Sequence, residues 1–350
     1  MNAIDGVHQW SDVIGRLVAG DDMSSVDAQM VMNTVLRGEA SPSQISAFVV
    51  ALRAKGETAD ELEGMLTSVL DASAKVELPA DVAARCIDIV GTGGDRSHSV
   101  NISTMASLVV AGAGVPVCKH GNRAASSQCG TADVLEALGV TIELDGAGVA
   151  RCVVEAGMGF CFAPTFHPAF RHAGPSRREI GIPTAFNLLG PMANPAAVSY
   201  MVVGVGDPSV ASMMARVLAT RGVRCAWVVH GDGGMDELSL SGPCSVTQLR
   251  DGEVSHFDLD AASFGLARAD VAAVKGGTPQ HNAQVVREVL AGARGPIRDI
   301  VVFNAAAGLV VAGSAETMSL AIQQASASID TGAAQGVLDA LISISRAVAR

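Results

Sequence analysis

Residues 86–95, CIDIVGTGGD, carry the pattern that decides the fold, because an apolar, β-branched run passes there directly into a glycine-rich turn. A short run of this kind is typical of a buried strand. Similar runs follow at residues 115–118, 160–163, 201–205 and 225–229, and helical periodicity fills most of the intervals. Strands that alternate with helices predict a mainly parallel sheet, which binds its ligands at the carboxyl ends of the strands.

The residues before this region carry the start and stop signals of consecutive helices. Ser41 and Thr58 each open a capping box, in which the residue three positions later is Gln or Glu. An earlier helix is predicted between Ser25 and Arg37, followed by a stop at Gly38. The N-terminal region is therefore predicted to be all helical.

These patterns predict an α/β protein with two domains. We expect a small helical domain at residues 1–76 and a larger α/β domain with a mainly parallel central sheet at residues 77–350. Residues 166–190 are expected to pack with the helical domain. Apolar and polar residues alternate at 245–259 around an Asp-Gly pair, which predicts a β-hairpin near a sheet edge.

Composition excludes several classes of protein. The chain has 350 residues, 49% of them hydrophobic, which rules out disorder and fibrous repeats. Its 24 Lys and Arg against 35 Asp and Glu give a net charge of −11, so no nucleic-acid partner is expected. The seven cysteines include no C-x-x-C pair and indicate buried thiols in a reducing compartment. With no secretory signal and no membrane span, the sequence predicts a cytoplasmic protein.

Two glycine- and hydroxyl-rich segments are candidates for phosphate binding. Residues 91–95, GTGGD, follow the first strand, and their backbone amides could surround an anion, although a flexible strand-to-helix turn has the same composition. Residues 101–104, NIST, open the next helix, where free amides and the helix dipole favour negative charge. Ordinary N-capping explains one hydroxyl of this group but not the whole of it.

Two charged segments are further candidates. Residues 119–127, KHGNRAASS, place two cations after a buried strand, which is costly without a ligand unless the segment is a solvated loop. Asp236 and Glu237 follow another strand and offer the oxygen ligands that Mg²⁺ prefers, although a solvated acidic turn is the alternative. Adjacent residues of a strand point to opposite sides, so two ions, or a turn that gathers both carboxylates, would be needed.

The order and spacing of these segments resemble the anthranilate phosphoribosyltransferase family. The similarity runs from about residue 18 to 348 and includes GTGGD, NIST, KHGNRAASS, HPAF, SRREIG, FNLLGPMANP and HGDGGMDELS. It implies a nucleoside phosphorylase/phosphoribosyltransferase-like fold and a magnesium-dependent pentosyltransferase. The implied reaction moves the phosphoribosyl group of 5-phosphoribosyl 1-diphosphate to the amine of anthranilate, giving N-(5-phosphoribosyl)anthranilate and diphosphate. This is the second step of tryptophan biosynthesis from chorismate, and the resemblance also implies a homodimer.

The resemblance assigns roles to individual residues. Lys119, Asn122 and Arg177 are the implied catalytic residues, and Gly91, Asn122 and Arg177 are implied to contact anthranilate. Ser103, Asp236 and Glu237 are the implied metal ligands, with two Mg²⁺ ions per monomer. The implied contacts with the phosphoribosyl donor are Gly91, Gly94, Asp95, Ser99, Asn101, Ile102, Ser103, Thr104, Lys119, His120, Gly121, Asn122, Arg123, Ala124, Ala125, Ser126, Ser127 and Thr131.

The departures from the family pattern are small. Ser99 replaces the usual Thr, Thr131 replaces the usual Ser, and Val100 replaces the commoner Phe. Pro183 stands where many members have Arg, which puts the fine geometry of the acceptor pocket in question. Two alternative functions are a pyrimidine-nucleoside phosphorylase and a non-enzymatic, nucleic-acid-binding paralogue.

Overall fold

The computed structural model describes residues 3–4, 8–124 and 127–349. The chain folds into two compact units. A helical unit contains Met1–Ala74 and a second segment, Phe166–Pro195, and an α/β unit contains Lys75–Thr165 and Ala196–Arg350. The predicted fold class, a helical N-terminal region followed by an α/β region, is confirmed.

The strands and helices are numbered in chain order. The strands are β1 (Ala3–Ile4), β2 (His8–Gln9), β3 (Ile87–Gly91), β4 (Val117–Gly121), β5 (Met158–Phe162), β6 (Tyr200–Gly204), β7 (Cys225–His230), β8 (Cys244–Arg250) and β9 (Glu253–Leu259). The helices are α1 (Trp10–Ala19), α2 (Ser25–Leu36), α3 (Pro42–Lys55), α4 (Ala59–Asp71), α5 (Ala80–Ala83), α6 (Ile102–Gly112), α7 (Thr131–Leu138), α8 (Gly146–Ala156), α9 (Ala163–Phe166), α10 (Gly174–Ile180), α11 (Ala185–Met192), α12 (Ala211–Thr220), α13 (Pro279–Leu290), α14 (Pro296–Val311), α15 (Met318–Asp330) and α16 (Ala333–Val348). Short 3₁₀ helices lie at Pro168–His172, Pro208–Val210, Ala261–Phe264 and Val271–Val274.

Local sequence signals determine where the helices of the helical unit begin. The side chain of Ser41 accepts from the amide of Gln44, and the Gln44 side chain accepts from the amide of Ser41, so α3 has the predicted capping box. Thr58 and Glu61 form the same arrangement at the start of α4. The apolar faces of these helices form a core that includes the fully buried Phe48.

The main sheet of the α/β unit has the strand order β5-β4-β3-β6-β7-β8-β9. The strands from β5 to β7 are parallel, whereas β8 and β9 continue the sheet antiparallel. Gly91 pairs with Gly204, and Gly204 pairs with Val229, so β3, β6 and β7 end at the same edge. The strand order reverses between β3 and β6, which is where sheets of this type form a ligand crevice.

The structure tests two of the sequence predictions about strands. The β8–β9 hairpin is confirmed, and its turn has positive φ at Asp251 (50°) and Gly252 (87°), as a tight hairpin turn requires. The predicted strand at 115–118 is wrong at its end, because β4 continues through Lys119 and His120 to Gly121. Both side chains are buried, so these residues belong to the sheet and not to a following loop.

The longest helices of the α/β unit cover the sheet. A Cβ on Gly308 of α14 would lie 3.0 Å from Ile89 Cδ1 and 3.1 Å from Val110 Cγ2, so α14 packs closely against both β3 and α6. Nearly every residue of α14 from Ile300 onward is buried. Among the described residues, no helix has the length and apolar character needed to cross a membrane.

Candidate active site

Three carboxylates from distant parts of the chain meet at the edge where β3, β6 and β7 end. Asp236 and Glu237 lie between β7 and β8, and Asp95 follows β3. One carboxylate oxygen from each of the three lies within 4.8 Å of the others. Because residues 236 and 237 form a bend and not a strand, both side chains reach the same place. A turn that gathers both carboxylates is therefore the arrangement that the chain adopts.

Close backbone packing shapes the acidic bend, which we define as residues 235–238. A Cβ on Gly204 would lie 1.5 Å from the carbonyl oxygen of Asp236, and a Cβ on Gly231 would lie 2.2 Å from that of Glu237. Any larger residue at either position would displace the bend. On its other side, the amide and the carbonyl of Leu238 are both hydrogen-bonded to the side chain of Asn304.

Burial and mutual repulsion make this cluster a strong site for positive charge. Burial, followed by the charge of Asp95, raises the pKa of Asp236 to about 6. Burial, followed by the charge of Asp236, raises the pKa of Glu237. Among the described residues, Asp95 Oδ2 and Glu237 Oε2 are buried without a hydrogen-bond partner. Unpartnered hard oxygen atoms in a small cluster fit a divalent cation such as Mg²⁺.

The glycine-rich turn supports the acidic bend as well as offering amides. The amide of Gly93 donates to Asp236 Oδ2 at 2.7 Å, and the amide of Thr92 donates to the carbonyl of Gly204. These two amides are therefore engaged within the protein. Gly93 and Gly94 have φ of 66° and 77°, a conformation that favours glycine, and the Gly94 amide donates to no described residue.

The absence of a side chain at Gly91 leaves room for the carboxylate of Asp236. A Cβ at this last residue of β3 would lie 2.2 Å from Asp236 Oδ2. The backbone that continues from the turn is held by a second segment, since the amide of Val100 donates to Val274 and Ser99 pairs with Lys275. The predicted donor contacts Gly94, Asp95 and Ser99 thus lie on one braced segment.

The start of α6 offers unused backbone donors. Asn101 is the N-cap residue, but its side chain makes no capping hydrogen bond. The side-chain amide of Asn101 instead donates to the carbonyl of Cys129 at 3.2 Å and accepts from Asn282 Nδ2 at 2.9 Å. Thr104 Oγ1, two residues into the helix, is fully buried and has no partner among the described residues. A helix N-terminus with these features is suited to bind a phosphate group.

Lys119 interacts with the start of α6 and with the charges of the acidic cluster. Its side chain is 1% exposed, and its ammonium donates to the carbonyl of Ile89 and to Ser103 Oγ, the latter at 3.2 Å. Burial lowers the pKa of Lys119 to about 8, although the charges of Asp88, Glu237 and Asp236 work in the opposite direction. The ammonium of Lys119 therefore has internal partners, and its predicted contact with the donor stays a prediction.

Ion pairs and hydrogen bonds within the protein hold the segment that follows β4. The Arg123 guanidinium pairs with Asp133 at 3.0 Å and with Glu136 at 3.1 Å, so this predicted donor contact also has internal partners. Asp133 in turn accepts from the amides of Ala124 and Gly130. Asn122 Oδ1 accepts from the amide of Arg123 at 2.7 Å.

The other donor contacts predicted near this segment have different surroundings. His120 is buried, and its amide donates to Asp88 at 3.2 Å. Gly121 lies beside Thr131, the first residue of α7. Ser127 Oγ donates weakly to the carbonyl of Cys129 at 3.4 Å. Ala125 and Ser126, which were also predicted contacts, lie outside the described residues.

Arg177 belongs to the helical unit, on α10. Its guanidinium carbon lies 5.0 Å from the centre of the Phe186 ring, which holds the cation against an aromatic face. Burial lowers the pKa of Arg177, and a guanidinium that is partly removed from water binds a carboxylate strongly. Its predicted contact with the acceptor stays a prediction, as does that of Gly91 and Asn122.

Sequence reasoning missed several residues that build the site. Asp95 joins the carboxylate cluster, although the sequence suggested only a donor contact for it. Asp88 and Asn304 are polar residues inside the apolar runs CIDIV and VVFNAAAGLVV, and that contrast is the signal that could have identified them. Asn282 carries no such signal, because α13 is mixed in composition.

Comparisons with known proteins agree with this geometry. Residues 83–335 match the model for the glycosyl transferase family, a/b domain, and residues 11–73 match that for the glycosyl transferase family, helical bundle domain. Anthranilate phosphoribosyltransferase of Saccharopolyspora erythraea is 52% identical over 335 residues, 94% of each chain. The crystal structure of anthranilate phosphoribosyltransferase from Thermus thermophilus has a TM-score of 0.90 and 39% identity, covering 96% of this chain and 99% of that one.

Two structures of the Saccharomyces cerevisiae anthranilate phosphoribosyltransferase are also similar. The complex with PRPP and Mg has a TM-score of 0.89 and 27% identity, covering 97% of this chain and 98% of that one. The complex with 4-fluoroanthranilate has a TM-score of 0.87 and 26% identity, with the same coverage.

The paired helical-bundle and a/b domains make this protein a glycosyltransferase. At 52% identity over nearly its whole length, the chain belongs to the anthranilate phosphoribosyltransferase family, which confirms the resemblance drawn from its motifs. Membership argues against both alternatives, the pyrimidine-nucleoside phosphorylase and the non-enzymatic paralogue.

Proposed function

We propose that the chain transfers the phosphoribosyl group of 5-phosphoribosyl 1-diphosphate to the amine of anthranilate, as the second step of tryptophan biosynthesis from chorismate. The observation that carries this proposal is the cluster of Asp95, Asp236 and Glu237, in which Asp236 is buried and the other two are half-buried. The charges of Asp236 and Glu237 act on Lys119, whose ammonium donates to Ser103 at the start of α6. Carboxylates, an ammonium group and helix amides together complement a divalent cation bound to a diphosphate.

The reaction breaks the bond between C1 of the ribose and diphosphate and forms a bond between C1 and the anthranilate nitrogen, which then loses a proton. An arylamine is neutral near pH 7, so its lone pair is available without a strong base. Mg²⁺ held by Asp236, Glu237 and Asp95 would neutralise charge on the departing diphosphate. Lys119 places a positive charge beside that position, and the first-turn amides of α6 would donate hydrogen bonds to phosphate oxygens.

Further parts of the proposal concern binding. The donor contacts predicted from the sequence, from Gly91 to Thr131, are retained, with Asn122 and Arg177 positioning anthranilate through an amide and a guanidinium. Ser103 is retained as a metal ligand on the family resemblance alone; in the structure its hydroxyl accepts from the ammonium of Lys119 at 3.2 Å. Two Mg²⁺ ions per monomer, the homodimer and the cytoplasmic location stay predictions.

Anthranilate fluorescence tests the function directly. Purified protein with 5-phosphoribosyl 1-diphosphate and Mg²⁺ should consume anthranilate, so that its fluorescence falls. Reactions without donor, or with a chelator in place of Mg²⁺, should leave the signal unchanged. Phosphorolysis of uridine or thymidine, with no loss of anthranilate, would overturn the proposal in favour of a nucleoside phosphorylase.

Arg177→Ala tests the acceptor site. We expect the KM for anthranilate to rise by about 10²-fold, with little change in the KM for the donor, because the variant loses a charge-assisted contact with the carboxylate. Arg178→Ala is the matched control, since Arg178 is the next residue and is exposed. Equal effects of Arg177→Ala on both KM values would remove Arg177 from the acceptor site.

A further inference from the structure

Both polar atoms of the Asn304 side chain are hydrogen-bonded inside the protein core. It is 3% exposed and lies in α14, within the apolar sequence IVVFNAAAGLVV at residues 300–311. Its Oδ1 accepts from the amide of Leu238 at 2.9 Å. Its Nδ2 donates to the carbonyls of Leu238 and Ile300, each at 2.9 Å. An amide in such a run is costly unless every polar atom is paired, and in Asn304 each one is.

The hydrogen bonds of Asn304 to Leu238 fix the backbone of the residue that directly follows Glu237. An amide side chain that binds both the N–H and the C=O of one residue fixes the position and the direction of that backbone unit. The carbonyls of Asp236 and Glu237 are already in contact with Gly204 and Gly231 on their other sides. The acidic bend is thus held by close contacts with two glycines and by hydrogen bonds at three of its residues, from the Gly231 amide to the Met235 carbonyl, from the Gly93 amide to Asp236 Oδ2, and between Leu238 and Asn304. Among these hydrogen bonds, those of Asn304 fix the backbone directly after Glu237.

The support behind Asn304 is rigid. Its helix packs against β3 through Gly308, where an added Cβ would lie 3.0 Å from Ile89 Cδ1. Residues that orient metal ligands from behind are typically held by such packing. A polar residue needed only for helix stability would not require contacts with a segment 66 residues away in sequence.

We propose that Asn304 is a positioning residue for the divalent-cation site, acting through Leu238 on the direction of the Asp236 and Glu237 carboxylates. The inference rests on the proposed function, because the cation is the one that the phosphoribosyl donor brings. Neither a carboxylate nor an aliphatic side chain can replace the amide, since Leu238 presents a donor and an acceptor together.

Two variants test the inference. Asn304→Asp keeps an acceptor for the Leu238 amide but faces the two carbonyls with oxygen, and Asn304→Leu removes all three hydrogen bonds at similar volume. Ser345→Ala is the matched control, because Ser345 is fully buried and accepts from the amide of Thr141, remote in sequence from the acidic bend. If Asn304→Leu does not fold, Asn304→Asp carries the test.

Three measurements separate positioning from packing. The first is the affinity for Mn²⁺, measured by loss of the free-ion electron paramagnetic resonance signal with and without 5-phosphoribosyl 1-diphosphate. The second is hydrogen exchange at the Leu238 amide in metal-free protein, and the third is the unfolding temperature. We expect the Asn304 variants to bind Mn²⁺ about 10- to 100-fold more weakly and to exchange the Leu238 amide faster. Ser345→Ala should lower only the unfolding temperature.

One pattern of results would contradict the inference. Asn304 variants that lose thermal stability as Ser345→Ala does, yet keep the wild-type Mn²⁺ affinity, would overturn the inference. A wild-type protein that transfers no phosphoribosyl group would instead overturn the proposed function, so the two failures are distinguishable.

Discussion

Two segments at the same edge of the sheet are fixed by different forces. The acidic bend after β7 is held by buried contacts with Gly204, Gly231 and Asn304. The segment after β4 is held by ion pairs of Arg123, whose side chain is 44% exposed, and by hydrogen bonds from the amides of Ala124 and Gly130 to Asp133. Both segments contribute residues to the proposed site, but only the first is tied to the protein core.

The difference separates a preorganised part of the site from an adaptable part. Buried hydrogen bonds are not weakened by salt, and breaking one leaves an unpaired polar group. Exposed ion pairs contribute about 0.2–1 kcal/mol and are screened at physiological ionic strength. We infer that the cation ligands are in place before the substrates bind, whereas Arg123 can exchange its carboxylate partners for a phosphate group.

The largest effect should come from removing the charge of the acidic bend. The double variant Asp236→Asn/Glu237→Gln keeps the side-chain shapes but loses both carboxylates, so we expect kcat/KM to fall by at least about 10²-fold. Steady-state kinetics over a range of Mg²⁺ concentrations measures the loss. Asp258→Asn, an exposed carboxylate on β9, is the control. A double variant with a wild-type Mg²⁺ dependence would show that the bend does not bind the cation.

Lys119 tests how strongly the buried region depends on charge balance. Lys119→Met removes the buried cation that faces Asp236 and Glu237, so we expect a loss of about 3 kcal/mol in the free energy of unfolding. Adding Asp236→Asn to Lys119→Met should recover part of the loss, because it removes a negative charge that faced the ammonium of Lys119. Urea unfolding of both variants measures this, and a double variant less stable than Lys119→Met would contradict the charge argument.

Asp133 tests the adaptable segment through pH. Burial acts to raise the pKa of Asp133, but the amides of Ala124 and Gly130 and the Arg123 guanidinium outweigh it, so the pKa is lowered. A carboxyl with a lowered folded-state pKa stabilises the protein above its unfolded pKa of about 3.9 and loses that effect as pH falls.

Asp133→Asn should therefore be about 1–2 kcal/mol less stable than wild type at pH 7, with the difference shrinking below pH 4. Chemical unfolding at several pH values measures the difference. Asp339→Asn, on α16, serves as the control. A difference that stays constant from pH 7 to pH 3 would show that ionisation of Asp133 does not stabilise the fold.

The smallest effect on stability is expected for Arg123→Ala. Its ion pairs are exposed, so the loss in the free energy of unfolding should be below about 1 kcal/mol and should vanish in 1 M salt. If Arg123 also binds the donor, the KM for 5-phosphoribosyl 1-diphosphate should rise although stability hardly changes. A large, salt-independent loss of stability would show that the segment after β4 is held as firmly as the acidic bend.

The sequence predicted what local signals determine. Capping boxes at Ser41 and Thr58 and the Asp251-Gly252 turn lie within a few residues of the structures that they specify. The surroundings of Lys119 could not be predicted in this way, because its partners Ile89 and Ser103 lie 30 and 16 residues away. The same holds for the hydrogen bond between Gly93 and Asp236, which joins residues 143 apart in the sequence.

The glycines around the acidic bend limit how the metal preference of this enzyme could be redesigned. Alanine at 91, 204 or 231 would bring a methyl group to within 2.2 Å of the bend, so these positions tolerate no enlargement. Gly206 differs, because a methyl group there would make an ordinary contact of 3.6 Å with Asp95 Cα. A version that accepts a larger ion, such as Ca²⁺, would best be sought by changing residues on the Asp95 side of the carboxylate cluster.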